Sequence, residues 1–134
     1  MRAFAVAGFG LTTLLAGCSP TTETADSEAR RPVRQCFSIQ QVDNFRQGRM
    51  EQVFLRVGRN EVYELNSAGG CVDLDFAYRL AIVPDTGSSS RLCTGDRAQV
   101  VVPGSTSVAT TCRVRVTRRL TEAEIEALPR SHRP

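Results

Sequence analysis

The sequence has 134 residues, with 17 Lys plus Arg, 14 Asp plus Glu and one His, and its formal net charge is +3. This length suits a single domain, and the charge is too small to give the strongly basic surface that nucleic-acid binding requires. We therefore expect one small domain without a nucleic-acid partner.

Residues 1–17 have the pattern of a secretory signal peptide. Met1-Arg2 gives a positive start, and the segment from Ala3 to Leu15 is apolar apart from two threonines. About a dozen apolar residues are too few to span a bilayer as a helix, and such a core between a basic start and small residues is typical of a signal peptide. Leu15-Ala16-Gly17-Cys18 resembles the lipobox of bacterial lipoproteins, so we expect cleavage before Cys18.

The lipoprotein resemblance implies that the Cys18 thiol takes a diacylglyceryl group and that the new amino terminus usually gains a third acyl chain, such as palmitate. Two or more acyl chains hold a protein stably on a bilayer, whereas one chain binds marginally. Ser19 follows Cys18, and in Gram-negative lipoproteins an Asp at that position often marks retention in the inner membrane. The expected location is therefore the periplasmic face of the outer membrane, with the lipid bilayer as a partner.

Residues 18–35 are expected to form the lipidated cysteine and a flexible tether. The segment is rich in Thr and Ser, contains two prolines and mixed charges, and has almost no apolar residue. Such a composition buries too little apolar surface to offset chain entropy. The folded domain is expected over residues 36–128.

Four cysteines remain for this domain: Cys36, Cys71, Cys93 and Cys112. An even number in an exported chain is typical of disulfides, and four cysteines allow three pairings. We favour Cys71–Cys93, which closes a local loop, and Cys36–Cys112, which ties the two ends of the domain together. A zinc site is the alternative, but the chain has no Cys-x-x-Cys pair and its one His, His132, lies near the C-terminus. We therefore expect no metal and no cofactor.

The sequence of the first half of the domain predicts a short strand at its start and then two strands that form a hairpin. Cys36-Phe37-Ser38-Ile39 opens a first strand, whereas Gln40 to Phe45 has no clear period. Residues 52–57 and 61–65 are β-rich runs on either side of Gly58-Arg59-Asn60, which is typical of a hairpin.

The second half predicts further strands. A short helical turn is expected over residues 73–77, followed by a strand over 80–83. Strands are also expected at residues 91–93 and 97–102. Residues 112–117 alternate strictly, with Val114 and Val116 inward and Arg113 and Arg115 outward.

The domain is expected to end in a helix. Thr121 followed by Glu124 is a capping box, and Leu120, Ile125 and Leu128 form an apolar edge, with a polar tail over residues 129–134. The expected fold is mainly β, a small antiparallel sheet or partly open barrel with a short C-terminal α-helix and two disulfides.

Short motifs accompany the cysteines after Cys36. They are the run from Val57 to Tyr63, Asp73-Leu74 after Cys71, Gly95-Asp96 after Cys93, and Leu120-Thr121 with Glu124 after Cys112. Over residues 36–128 these motifs resemble a family of small four-cysteine proteobacterial envelope lipoproteins of unknown function. The resemblance implies the location and the fold type, and it transfers no catalytic residue.

Two acidic motifs were candidates for chemistry. Asp85-Thr86-Gly87-Ser88 resembles an aspartic-protease motif, but that chemistry needs two Asp sharing a proton, and Pro84 before it favours a β-turn. Asp73 and Asp75 supply only two cation ligands, and carboxylates are mostly solvated. Because no nucleophile and base are paired, we do not expect an enzyme.

Arg113, Arg115, Arg118 and Arg119 form the one suggestive binding surface. Guanidinium groups suit anionic sugars, lipid phosphates or acidic proteins, although charge that protects a sheet edge is the simpler interpretation. We expect a membrane-anchored, non-catalytic binding or accessory module whose partner is an envelope protein or an anionic glycan. The alternative is a small periplasmic enzyme inhibitor presenting the loop from Pro84 to Ser90, and a hydrolytic enzyme is third.

Overall fold

The computed structural model describes residues 33–49, 51–71, 73–87, 90–104 and 111–134. Within them the strands are β1 (Cys36–Ser38), β2 (Val42–Gln47), β3 (Gln52–Val57), β4 (Glu61–Ser67), β5 (Ala81–Pro84), β6 (Arg91–Cys93), β7 (Arg97–Val101) and β8 (Thr111–Arg119). The helix α1 covers Glu122–Ala127, and 3₁₀ turns lie at Ile39–Gln41, Leu74–Phe76 and Arg130–His132. The predicted fold class, mainly β with a short C-terminal helix, is confirmed.

Every strand pair among the described residues is antiparallel. The order β2-β3-β4-β8-β7-β5 gives a six-stranded sheet that curls into a half-barrel, and β1 pairs with β6 in a two-stranded sheet. The predicted hairpin of β3 and β4 is confirmed, with Val57 opposite Glu61. Gly58 lies in its turn with a φ of 58°, a left-handed backbone that costs glycine little.

The inner face of the six-stranded sheet carries the main core. Alternate residues of each strand point inward, and the small sheet covers them with Phe37 and Leu92. The rings of Phe37 and Tyr63 lie 4.5 Å apart. The other buried side chains of this core include Val53, Leu55, Val57, Leu65, Leu74, Ala98, Val100, Val114 and Val116.

The outer face carries a second, smaller core under α1. Phe54, Val62 and Leu120 are buried there, and Ile125 and Leu128 pack against them. The predicted capping box starts the helix: the Thr121 side chain accepts from the backbone N–H of Glu124, whose carboxylate accepts from the backbone N–H of Thr121. The packing of Leu120, Ile125 and Leu128 confirms the predicted apolar edge of the helix.

The residues after α1, predicted to be a polar tail, fold back on the helix. The Arg133 guanidinium donates to the carbonyl oxygens of Glu126 (2.7 Å) and Leu128 (3.0 Å). A cation at a helix C-terminus binds carbonyls that have no partner within the helix and interacts favourably with the helix dipole.

Both edge strands of the half-barrel resist further strand pairing. β2, which the sequence did not predict, contains a bulge between Val42 and Asn44, and the Asn44 side chain accepts from the N–H of Phe45 (2.9 Å). β5 has only four residues and ends at Pro84. Bulges, short edge strands and proline are the features by which natural sheets avoid edge-to-edge association.

The predicted disulfide pairing is wrong. The bonds join Cys36 to Cys93 and Cys71 to Cys112. Cys36 and Cys93 are direct cross-strand partners of β1 and β6, with Cα atoms 3.9 Å apart. Since β4 runs beside β8, the chain that leaves β4 brings Cys71 to Cys112, with Cα atoms 5.3 Å apart. Sequence spacing favoured a local loop, but the β1–β6 and β4–β8 pairings decide the partners.

Candidate functional site

Strand β8 divides the predicted arginine surface into two groups. Val114 and Val116 are buried, and Arg113 and Arg115 are exposed on the opposite face, as the alternation predicted. Leu65 lies opposite Val116, but Glu64 lies opposite Arg118, so the register shifts at this point. Beyond the shift, Arg118 lies beside Glu64 and Arg119 lies beside Tyr63.

Arg118 and Arg119 are held in ion pairs within the fold. The Arg118 Nε atom lies 2.9 Å from Glu64 Oε2, and its Nη1 atom pairs with Glu124. The Arg119 Nη1 atom lies 3.1 Å from Glu61 Oε1. These two arginines therefore tie β8 to β4 and to the start of α1.

Hydrogen bonds, neighbouring charges and burial shift three pKa values at this end of β8. The backbone N–H of Thr121, followed by the Arg118 guanidinium and the Thr121 hydroxyl, lowers the pKa of Glu124 to about 2. The hydrogen bond to Glu124 in turn raises the pKa of Arg118. Burial, and then the charge of Glu61, raises the pKa of Tyr63. All three groups keep their ordinary charge at neutral pH.

Arg113 and Arg115 meet a third arginine, Arg97 of β7. Arg97 lies directly opposite Arg115, and Asn66 of β4 lies on the other side of Arg115. We call Arg97, Arg113 and Arg115 the arginine face. In the part of the chain that the structure describes, none of the three has a carboxylate within ion-pair distance.

The arginine face lines an open groove of about 290 Å³. The lining residues are Asn66, Ala68, Asp85, Arg97, Arg113, Val114 and Arg115. Asp85 lies at the β5 side, where its backbone N–H donates to the Arg97 carbonyl (3.1 Å). Asp85 to Gly87 form a bend and turn, as the β-turn interpretation predicted, and Ser88 and Ser89 lie outside the described residues. The groove thus combines three cations with one amide and one carboxylate.

This chain is matched over residues 1–134 by the family model described as "Family of unknown function (DUF6491)". The chain belongs to that family. No curated protein and no solved structure is significantly similar to it. Family membership therefore agrees with the predicted resemblance to a family without known activity, and the site must be interpreted from its own chemistry.

The carboxylates of Asp73, Asp75 and Asp96 do not line the groove of the arginine face. Asp96 is used by the fold, because its carboxylate accepts from the Cys93 N–H (2.9 Å) and pairs with Arg34. Asp73 precedes the 3₁₀ turn at Leu74–Phe76 with a φ of 64°, and Asp75 is exposed within it. Among the described residues, no three His, Cys, Asp or Glu side chains are close enough to hold a metal ion.

Two predicted features involve residues that the structure does not describe. Cys18, the predicted lipidation site, lies outside the described residues, and so do two members of the predicted inhibitory loop. No helix in the described ranges is long and apolar enough to cross a membrane.

Sequence reasoning missed Arg97 and Asn66 as members of the site. Each lies on a predicted strand or directly after one, but its place beside Arg115 depends on the register of β7 and β4 against β8. A one-residue slip of register would move a side chain to the other face of the sheet, so sequence alone carried no signal for either residue.

Proposed function

We propose that this protein is a lipid-anchored envelope lipoprotein that acts as a non-catalytic binding module for an anionic group of an envelope glycan. The observation that supports the proposal is the arginine face, three guanidinium groups without ion-pair partners among the described residues. The proposed location is the periplasmic face of the outer membrane, with acylated Cys18 holding the domain at the bilayer.

The chemistry of the arginine face favours carboxylate or phosphate. Guanidinium is planar and presents paired donors that match these anions. Like charges directly opposite each other in a sheet are destabilising, and Arg97 and Arg115 are such a pair. An anion between them would remove this repulsion, so the arrangement stabilises a bound state more than the free domain.

The volume of the groove limits the size of the group that it can bind. About 290 Å³ of open space is at the small end of ligand sites, which run from about 300 to 1,000 Å³ and are usually enclosed. The groove therefore suits one charged sugar unit of a longer chain. Affinity would then come from several weak contacts along a polymer, as multivalent binding allows.

A titration with a polyuronate tests the proposed ligand class. The acylated full chain in detergent is titrated with polygalacturonate and with neutral dextran. We expect binding to polygalacturonate alone, and we expect Arg113→Gln/Arg115→Gln to lower the affinity about tenfold or more, since two charge-assisted contacts are lost. Arg59→Gln is the matched control, because Arg59 is an exposed arginine in the β3–β4 turn.

Two results would contradict the proposed ligand. One is equal affinity of the double variant and Arg59→Gln for polygalacturonate. The other is binding that does not weaken with added salt, because contacts between exposed charges are screened. Binding of an acidic protein in place of the polyuronate would assign the face to the other predicted class of partner.

The proposed lipid anchor has its own test. Cells expressing the full chain are grown with a fatty-acid probe, and the protein is isolated. We expect the wild type to carry the label and Cys18→Ala to lack it. Label that persists in Cys18→Ala would show that another residue is acylated or that the protein is not a lipoprotein.

A further inference from the structure

The segment between Cys71 and β5 presents two large aromatic side chains to solvent. Phe76 is 83% exposed and Tyr78 is 102% exposed. We call residues 73–79 the aromatic loop. Single exposed apolar residues are normal, whereas contiguous apolar patches are candidates for interaction sites, and Phe76 in particular has no polar group with which to bind water.

The fold holds the aromatic loop in place while its rings point outward. Cys71, just before the loop, is bonded to Cys112, and Leu74 is buried in the main core. The Ala77 N–H donates to the Leu74 carbonyl (3.1 Å). Asp73 has a left-handed backbone with a φ of 64°, a conformation that Asp adopts more readily than most other residues. The exposed rings are thus presented by anchored backbone.

We propose that the aromatic loop docks on the surface of the lipid bilayer, with Phe76 and Tyr78 reaching the boundary between headgroups and acyl chains. The inference rests on the proposed anchor at Cys18. Fourteen residues separate Cys18 from Val33, and at 3.3–3.6 Å each they span at most about 50 Å. The tether therefore keeps the domain near the bilayer, which makes a weak second contact effective. Tyr is enriched at membrane interfaces, and Phe is typical of apolar faces that lie in them.

The charges beside the rings favour a bilayer over a charged partner. The loop carries two carboxylates, the exposed Asp75 and the half-buried Asp73, and one exposed guanidinium, Arg79, so its charges are mixed and do not select an anionic partner. Its contact is expected to depend on burying apolar surface, and salt should change it little. This distinguishes the loop from the arginine face.

A peptide is the main competing occupant, because a groove of about 420 Å³ lies beside Tyr78. The groove is lined by β2 from Val42 to Phe45, and by the segment from Tyr78 to Ile82 that leads into β5. An extended peptide would normally bind there by adding a strand. The bulge and the Asn44 side chain on β2 and Pro84 on β5 oppose that mode of binding.

A single tryptophan can report the docking, because the natural chain contains none. Tyr78→Trp is placed in the acylated full chain, which is incorporated into phosphatidylcholine vesicles with and without brominated acyl chains. Val83→Trp is the matched control, since Val83 is an exposed apolar residue (49%) on β5. We expect brominated lipid to quench the tryptophan at position 78 about twofold and the one at position 83 hardly at all, because only an inserted ring meets the acyl chains.

Each outcome decides the proposal. Quenching at position 78 that persists in high salt and weakens when Phe76→Ser is added supports docking by apolar insertion. A chain that floats with the vesicles but shows no quenching at position 78 overturns docking and leaves the anchor intact. A chain that does not float with them overturns the anchor and the docking that depends on it. Emission at position 78 that responds to a soluble peptide or glycan and not to brominated lipid also overturns docking.

Discussion

The two ends of β8 carry the same side chain in two different states. At the C-terminal end, Arg118 and Arg119 are bound by Glu64, Glu124 and Glu61. At the N-terminal end, Arg113 and Arg115 have no such partner in the described ranges, and the strand is held by buried valines and by the disulfide at Cys112. The disulfide and the buried valines hold the N-terminal end without ion pairs from Arg113 and Arg115, which leaves these two arginines for the proposed ligand.

Removing the Cys71–Cys112 disulfide, which holds the N-terminal end of β8, should change the free energy of unfolding the most. The bond closes a segment with a sequence separation of 41, and Cys71→Ala/Cys112→Ala should lower the free energy of unfolding by about 4 kcal/mol on the chain-entropy model. Urea unfolding measures the change. A loss below about 1 kcal/mol would mean that packing alone holds the N-terminal end.

Cys36→Ala/Cys93→Ala is the matched control for that measurement. Its bond closes a separation of 57, so the same model gives a similar loss, about 4 kcal/mol. The two closed segments overlap in sequence, since Cys71 lies between Cys36 and Cys93. The two losses are therefore not expected to add.

Local sequence predicted the elements and faces of this molecule better than their partners. The hairpin of β3 and β4, the alternation of β8 and the capping box at Thr121 depend on residues within a few positions of each other, and the structure confirms them. β2 was missed because its burial does not alternate cleanly and its register is bulged. The disulfides and Arg97 were missed because they depend on pairings between distant strands.

Replacing Arg118 should destabilise the fold where replacing Arg115 does not. Arg118→Met removes two ion pairs while keeping an unbranched apolar stem, and each exposed pair is worth about 0.2–1 kcal/mol, so we expect a loss of about 1 kcal/mol. Arg115→Met is the control at the other end of β8. Thermal or urea unfolding that gives the same loss for both variants would contradict the division of β8 into two ends.

Lowering the pH should weaken the C-terminal end of β8, where Arg118 is paired with Glu124, more than the N-terminal end. The folded state lowers the pKa of Glu124 from 4.5 to about 2, so Glu124 contributes stability above pH 4.5 that is lost as the pH falls toward 2. We expect wild type to have a higher melting temperature than Glu124→Gln at pH 6, and we expect this difference to disappear between pH 4.5 and 2. Because Glu124 is exposed, this effect should be smaller than the loss in Arg118→Met.

The pH test has a control at the other end of β8. When Arg115→Met is introduced into both wild type and Glu124→Gln, the difference between their melting temperatures should be unchanged at pH 6 and should still disappear at low pH. The reason is that Arg115 does not contact Glu124. A gap between wild type and Glu124→Gln that stays constant down to pH 2.5 would mean that the carboxylate is not used as a charged cap.

The smallest expected effect has the opposite sign. Arg97 and Arg115 face each other across β7 and β8, and a like-charge cross-strand pair costs about 0.2–1 kcal/mol. Arg115→Gln should therefore stabilise the free domain by a few tenths of a kcal/mol at low salt, with less gain at high salt because the repulsion is screened. Urea unfolding at two salt concentrations measures this, with Arg59→Gln as the control. Stabilisation of the free domain combined with weaker binding of the polyuronate would show that the arginine face is kept for its ligand at the expense of stability. A variant that is less stable than wild type would show that Arg115 belongs, like Arg118, to the fold.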